Sequence, residues 1–173
     1  IINDVSGLTA DPRMVHVAAK SGAGVVVMHM QGTPQTMQIN PQYDDVVREV
    51  CDYLRDRQEN LVQAGIHREA IAIDPGIGFG KTQEHNLTLL ANLSAFRSLG
   101  RPICLGVSRK GMIGLVTGRP RAERMAGTLA INCFALAEKA GHILRVHDVA
   151  PTRDAALLYA ALQPFCQQSE SSS

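Results

Sequence analysis

The chain has 173 residues, 45% of them apolar, and its charges cancel to a formal +1. One domain with a real core is within reach, but the basic excess of a nucleic-acid binder is missing, and no Trp with three Tyr and four Phe leaves little for base stacking. No apolar run approaches the roughly 20 residues that span a bilayer, so neither a nucleic acid nor a membrane is an expected partner.

The chain opens on Ile1-Ile2-Asn3-Asp4, which reads as a strand entered midway, without an initiator Met. This predicts a chain truncated at its N-terminus. Asp11-Pro12 then offers an N-cap followed by Pro at the first helical position, with Gly22 as the stop. A second strand is predicted from Gly24 to Met30, and a helix from the spacing of Val46, Val50, Tyr53, Leu54 and Leu61. A third strand, Ala70 to Asp74, runs into a glycine-rich turn and a helix starting near Thr82. A fourth, Pro102 to Ser108, precedes a helix carrying Met125, Leu129, Cys133 and Leu136 on one stripe. The fifth, Ile143 to Asp148, leads into a helix with Leu158, Leu162 and Phe165 at helical spacing after Pro151. Residues 167–173 are a polar Gln/Ser/Glu run, predicted to be a disordered tail outside a single domain of residues 1–166. Cys51, Cys104, Cys133 and Cys166 are widely spaced without a C-x-x-C pair, which predicts buried, reduced thiols and a cytoplasmic protein.

Strict strand–helix alternation implies parallel strands, either in a doubly wound sheet or in a (β/α)8 barrel. The phase of the strands favours the barrel. One set of alternate positions is uniformly apolar: Ile2, Val25, Val27, Ile71, Ile73, Ile103, Leu105, Val107, Leu144 and Val146. It suits packing beneath helices. The other set, Asn3, Met28, Asp74, Gly106, Ser108, Arg145 and His147, is mostly polar or small and clusters at the C-terminal strand ends, where barrel sites are built. A complete barrel has about 250 residues, so the expected architecture is an incomplete α/β (β/α)8 TIM barrel, with five of eight βα units present and roughly three expected before Ile1.

Chemistry concentrates in three segments. Ile73-Asp74-Pro75-Gly76-Ile77-Gly78-Phe79-Gly80-Lys81-Thr82 resembles a phosphate loop, but Pro75 stands where its first Gly belongs, and Lys81 stands where a dinucleotide loop needs its third. What remains is a carboxylate beside a close-approach turn. Asp74 can accept two parallel hydrogen bonds from an N–C–N ring edge such as a pterin or guanine offers, or it can simply cap the turn. Lys110, in Ser108-Arg109-Lys110, is in phase with Gly106 and reaches the same centre. Arg145 and His147 stand two apart on one strand face, ahead of a helix N-terminus, a setting suited to phosphate or diphosphate. His29 is out of phase and expected to be structural. Nothing has the spacing of a metal site.

Taken in order, Ile1-Ile2-Asn3-Asp4, Met28-His29-Met30-Gln31-Gly32, Asp74 to Lys81, Ser108-Arg109-Lys110 and Arg145-Val146-His147-Asp148 resemble the dihydropteroate synthase family across nearly the whole chain. The resemblance implies a (β/α)8 transferase of folate biosynthesis, a homodimer and a sulfonamide target. It joins p-aminobenzoate to 6-hydroxymethyl-7,8-dihydropterin diphosphate, giving 7,8-dihydropteroate and diphosphate. It implies that Asn3, Met28, Asp74, Gly106 and Lys110 hold the pterin, that Arg145 and His147 grip the diphosphate, and that Phe79, Lys110 and Gly111 border the aminobenzoate. Lys110, Arg145 and His147 would be the catalytic residues. Mg²⁺ is implied as a cofactor whose protein ligand lies in upstream residues, so the 173 residues alone are expected to be inactive. Gly111 departs from the family, where Ser is common. The rival readings are a pterin-binding methyltransferase barrel, which has no need of Arg145 and His147, and a non-catalytic remnant.

Overall fold

The computed structural model describes residues 1–166; the tail reading for 167–173 lies outside them. Five short strands, β1 (Ile2–Asp4), β2 (Val25–Met28), β3 (Ile71–Asp74), β4 (Cys104–Leu105) and β5 (Ile143–Leu144), alternate with helices. Those helices are α1 (Arg13–Ser21), α2 (Val46–Gln63), α3 (Gln83–Ala91), α4 (Gly111–Thr117), α5 (Met125–Ala137) and α6 (Val149–Leu162). All pairings are parallel. β1 pairs with β2, β2 with β3 and β4 with β5, while an Ile73–Ile103 bridge and a Pro102 carbonyl accepting the Ile73 N–H at 2.9 Å join β3 to β4.

Each strand thus neighbours the next in sequence. A doubly wound sheet reverses its order at a switch point, whereas a barrel winds one way, so this order is an arc of a (β/α)8 barrel. The arc is open: among the described residues β1 and β5 do not pair with each other. A cavity of about 650 Å³ separates them, lined by Asn3, Val26, Cys104, Ile143, Arg145 and Val149 among others.

The strand phases fall as the sequence predicts except at Val146, which is half-buried and lines the cavity between β1 and β5 instead of joining the core. Val25, Val27, Ile71, Ile73, Ile103, Leu105 and Val107 lie in the main core with Val50, Leu54 and Leu61 of α2 and Leu89 of α3. Each large aliphatic side chain buried there contributes about 1.5–3 kcal/mol. Ile2 and Leu144 pack at its margin. The opposite phase supplies a small inner cluster of Val26, Ala72 and Cys104, the floor beneath the C-terminal strand ends.

Several expectations need correction. β2, β4 and β5 are shorter than predicted: β4 ends at Leu105, so Gly106 and Ser108 lie beyond it, and Arg145 and His147 follow β5 in a loop. The ladder continues past β5 by a single bond, from the Arg145 N–H to the Leu105 carbonyl at 2.9 Å. The first helix begins at Arg13, one residue late, with Pro12 at its N-cap and the Asp11 carboxylate accepting the Arg13 N–H at 2.9 Å. On α5 the buried stripe is Thr128, Asn132 and Ala135, because the helix turns its small and polar face inward and leaves Met125, Leu129, Cys133 and Leu136 half-buried. Leu158, Leu162 and Phe165 are exposed, since no described element packs on that side of α6. The cysteines are all free, but only Cys51 and Cys104 are buried; Cys133 is half-buried and Cys166 exposed.

Candidate active site

The site is assembled where β1, β3 and β4 end and where the glycine-rich turn after β3 crosses beneath the end of β2. Asp74, the last residue of β3, is 1% exposed. Its Oδ1 accepts the Gly76 N–H at 2.8 Å, so the turn-capping role is real. Its Oδ2 has no aligned hydrogen-bond donor, although Arg145 Nη2 stands 2.9 Å away. The ion pair is therefore a charge contact without a directed N–H, and one acceptor position remains open on a buried carboxylate. Burial raises the Asp74 pKa, against the opposing pull of Arg145, the Gly76 N–H and Lys110.

The turn needs its glycines because of that crossing. Gly76 has φ +69°, and a Cβ there would stand 1.9 Å from the His29 carbonyl oxygen. Gly80, at φ +64°, would meet the Gln31 carbonyl at 2.5 Å. Thr82 closes the turn by capping α3, its hydroxyl accepting the His85 N–H at 3.1 Å.

Lys81 sits under this turn, 2% exposed, a residue that sequence reasoning passes over because lysine is ordinarily solvated. Its Nζ donates to the Phe79 carbonyl at 2.9 Å and lies 2.9 Å from Nδ1 of His29. His29 is buried as well, with the Tyr53 ring edge-on at 4.9 Å, which suits the structural role expected for it. Burial holds Lys81 down to about 7, and burial with the Lys81 charge holds His29 down to about 3.

Lys110 crosses the opening of the turn. Its ammonium donates to the Ile77 carbonyl and stands 4.5 Å above the Phe79 ring, a cation–π contact. Burial lowers its pKa to about 8 despite nearby Asp74. Phe79, Lys81, Lys110, Gly111, Met112 and Leu115 help line a cleft of about 470 Å³, so the three residues predicted for an aminobenzoate pocket do share one cavity. No atom lies within 4 Å of a Cβ added at Gly111, so a Ser there would enter open space.

Asn3, Asp74, Gly106 and Arg145 also come together, in an unexpected way. Arg145 Nη1 donates to Asn3 Oδ1 at 2.7 Å, and its guanidinium lies over Gly106, where a Cβ would come within 2.4 Å of Nη2. Met28 is wholly buried, 3.3 Å at its Cγ from where a Cβ on Gly76 would stand. His147 does not join Arg145. Its Nδ1 is 2.9 Å from Ser108 Oγ, and the same hydroxyl accepts the His147 N–H at 3.1 Å. The predicted shared wall of two cationic donors is therefore split: Arg145 turns toward the carboxylate and His147 stays outside, exposed, beside the start of α6. A second tie between the same loops went unread in the sequence. Arg109, at φ +56°, makes a two-pronged pair with Asp148, its Nε 2.8 Å from Oδ2 and its Nη2 2.5 Å from Oδ1. With both loops so fixed, Lys110 and His147 are held in register.

Among the described residues no three His, Cys, Asp or Glu side chains converge to hold a metal ion. These residues alone do not supply a magnesium site.

Comparison with known proteins gives one consistent set of relatives. The family model described as "Pterin binding enzyme" matches residues 1–147. The dihydropteroate synthase of Escherichia coli K12 is 46% identical over 156 residues, covering 90% of this chain and 54% of that protein. A Yersinia pestis dihydropteroate synthase in a sulfonamide drug complex superposes with a TM-score of 0.90 at 39% identity, over 94% of this chain and 58% of that one. The Xanthomonas albilineans enzyme in complex with 7,8-dihydropteroate gives 0.86 at 41% identity, over 94% and 58%. The chain thus spans little more than half the length of the relatives it matches.

Proposed function

From the premise that this chain belongs to the pterin binding enzyme family, we propose that its strand ends form the pterin-reading and diphosphate-reading part of a dihydropteroate synthase site. The observation that carries this reading is buried Asp74, whose Oδ2 has no aligned donor, linked through Arg145 to Asn3 and acted on by the charge of Lys110, which lines a cleft with Phe79 and Gly111. A buried carboxylate with one oxygen held by the Gly76 N–H and the other in a charge contact with Arg145 that lacks an aligned N–H is suited to the N–H groups of a pterin edge once Arg145 moves aside. A relative solved with 7,8-dihydropteroate and another with a sulfonamide drug support the same ligand classes.

In the proposed reaction the C–O bond between the pterin's exocyclic carbon and the diphosphate breaks, its electron pair leaving with the diphosphate oxygen. The arylamine nitrogen of p-aminobenzoate forms the new C–N bond and loses a proton to solvent. The protein supplies no nucleophile. Asp74 and Asn3 orient the ring, Lys110 sits between ring slot and amine cleft, and His147 receives the departing charge at the start of α6, so catalysis rests on positioning and electrostatics. Mg²⁺ is proposed from the resemblance alone, as a counter-charge for diphosphate.

The chain by itself is proposed to bind without turnover. A homodimer is supported by an apolar groove of about 440 Å³ on the outer side of α3, α4 and α5, where Leu87, Val116 and Phe134 are exposed. No helix among the described residues is long and apolar enough to cross a membrane, and a cytoplasmic location is proposed with the folate-pathway role.

The activity is tested by supplying the chain with the upstream βα units of the Escherichia coli relative and assaying dihydropteroate formation. Turnover that disappears in His147→Ala while pterin binding remains is expected. A folded assembly with no turnover favours the non-catalytic reading.

A further inference from the structure

The guanidinium of Arg145 occupies the place where the ring edge of a pterin would dock, and we propose that Arg145 is a built-in competitor for that slot. It is displaced from Asp74 and Asn3 only at little cost when the entering pterin carries its own diphosphate. The inference rests on the pterin reading above and adds a specificity to it: selection of the activated diphosphate ester over the free hydroxymethyl alcohol.

The geometry carries it in three steps. First, a guanidinium presents N–H groups around one carbon, the same donor pattern as an N–C–N ring edge, and it meets the same two acceptors: Asn3 Oδ1 at 2.7 Å and Asp74 Oδ2 at 2.9 Å. Second, it fills the space that the absent side chain of Gly106 leaves, with a hypothetical Cβ only 2.4 Å from Nη2. A planar ring and this guanidinium cannot occupy that space together. Third, the side chain is free to leave. Arg145 is 38% exposed against 1% for Asp74, and its contact to Oδ2 lacks an aligned N–H. Its backbone N–H is anchored to Leu105, so the side chain moves on a fixed base.

Displacement has an asymmetric cost. A neutral pterin takes Asp74 from Arg145 and offers the arginine nothing in return. A diphosphate ester brings an anion to the same strand ends, and the released guanidinium gains a partner there. Asp74 is not stranded, because its Oδ1 keeps the Gly76 N–H at 2.8 Å and the Lys110 charge still acts on it. If only a fraction of molecules has the slot open, the apparent affinity for a neutral ring falls by that fraction.

The test is a fluorescence titration of the full 173-residue chain with 6-hydroxymethylpterin and with its diphosphate, comparing Arg145→Gln and Asp74→Asn with the unaltered protein. Arg145→Gln is expected to bind the alcohol about fivefold or more tightly than the unaltered chain, and the diphosphate less tightly, so that the preference between them collapses. Arg145→Lys keeps a cation beside Asp74 while abandoning the planar fork. It is expected to show the same gain, and it decides the matter if circular dichroism finds the Gln variant unfolded. Alcohol binding that is unchanged or weaker in a folded Arg145 variant, with Asp74→Asn still weakening it, overturns the competitor alone. Absence of Asp74-dependent pterin binding in every variant overturns the pterin reading together with it.

Discussion

Lys81 is the side chain whose surroundings depart furthest from its chemistry, an amine 2% exposed with one carbonyl and one imidazole for company. Burial favours its neutral form in the fold, with a pKa of about 7 against 10.5 for a free lysine. The unfolded chain therefore binds more protons between those values, and stability from this group increases as pH rises from about 7 to 10.5 and is lost again as pH falls. Lys110, lowered to about 8, adds to the upper part of that window. Lys81→Met is predicted to remove part of the rise, seen as a shallower dependence of urea unfolding free energy on pH between 7 and 10. Parallel curves for the two proteins would show that Lys81 stays charged in the fold. Nothing in the sequence distinguishes this lysine from a solvated one; its burial follows from the glycine turn folding under β2, a tertiary event.

At the scale of elements, the turn after β3 sets how the site is built. Gly76→Ala is predicted to cost about 3 kcal/mol in urea unfolding, since the new methyl meets the His29 carbonyl at 1.9 Å in a backbone conformation that disfavours L side chains. A loss below about 0.5 kcal/mol would mean that the crossing under β2 relaxes freely. The glycines were legible as a close-approach turn, and the strand phases were legible because period-2 alternation sorts residues before any contact is known. Strand length was not: β4 and β5 stop after two residues because pairing ends there, and pairing is non-local. Nor was the inward face of α5, where Met125, Leu129 and Cys133 make an apolar stripe that the neighbouring elements leave half-buried in favour of Thr128, Asn132 and Ala135. Arg145 is the instructive case. Its sequence position placed it at the strand ends, while its partner, Asp74, lies 71 residues earlier and was assigned to a different ligand group.

Over the whole molecule, the sequential order of five parallel strands gathers Asn3, Asp74, Lys110 and Arg145 at one end of an open arc, though no two of the first three are neighbours in sequence. The arc explains why the site reads as a set of strand ends rather than as a contiguous motif. It also explains the exposed apolar surface of α6 and of the edge residue Ile1, for which the described residues provide no cover. The central claim is that the buried carboxylate at the end of β3 reads a pterin ring. Its most direct test is calorimetric titration of 6-hydroxymethylpterin diphosphate into the chain and into Asp74→Asn, which keeps the shape and removes the charge. A charge-assisted contact of this kind predicts a loss of about tenfold or more in affinity for the variant. Equal affinity in two folded proteins would contradict the assignment of Asp74 to the ring.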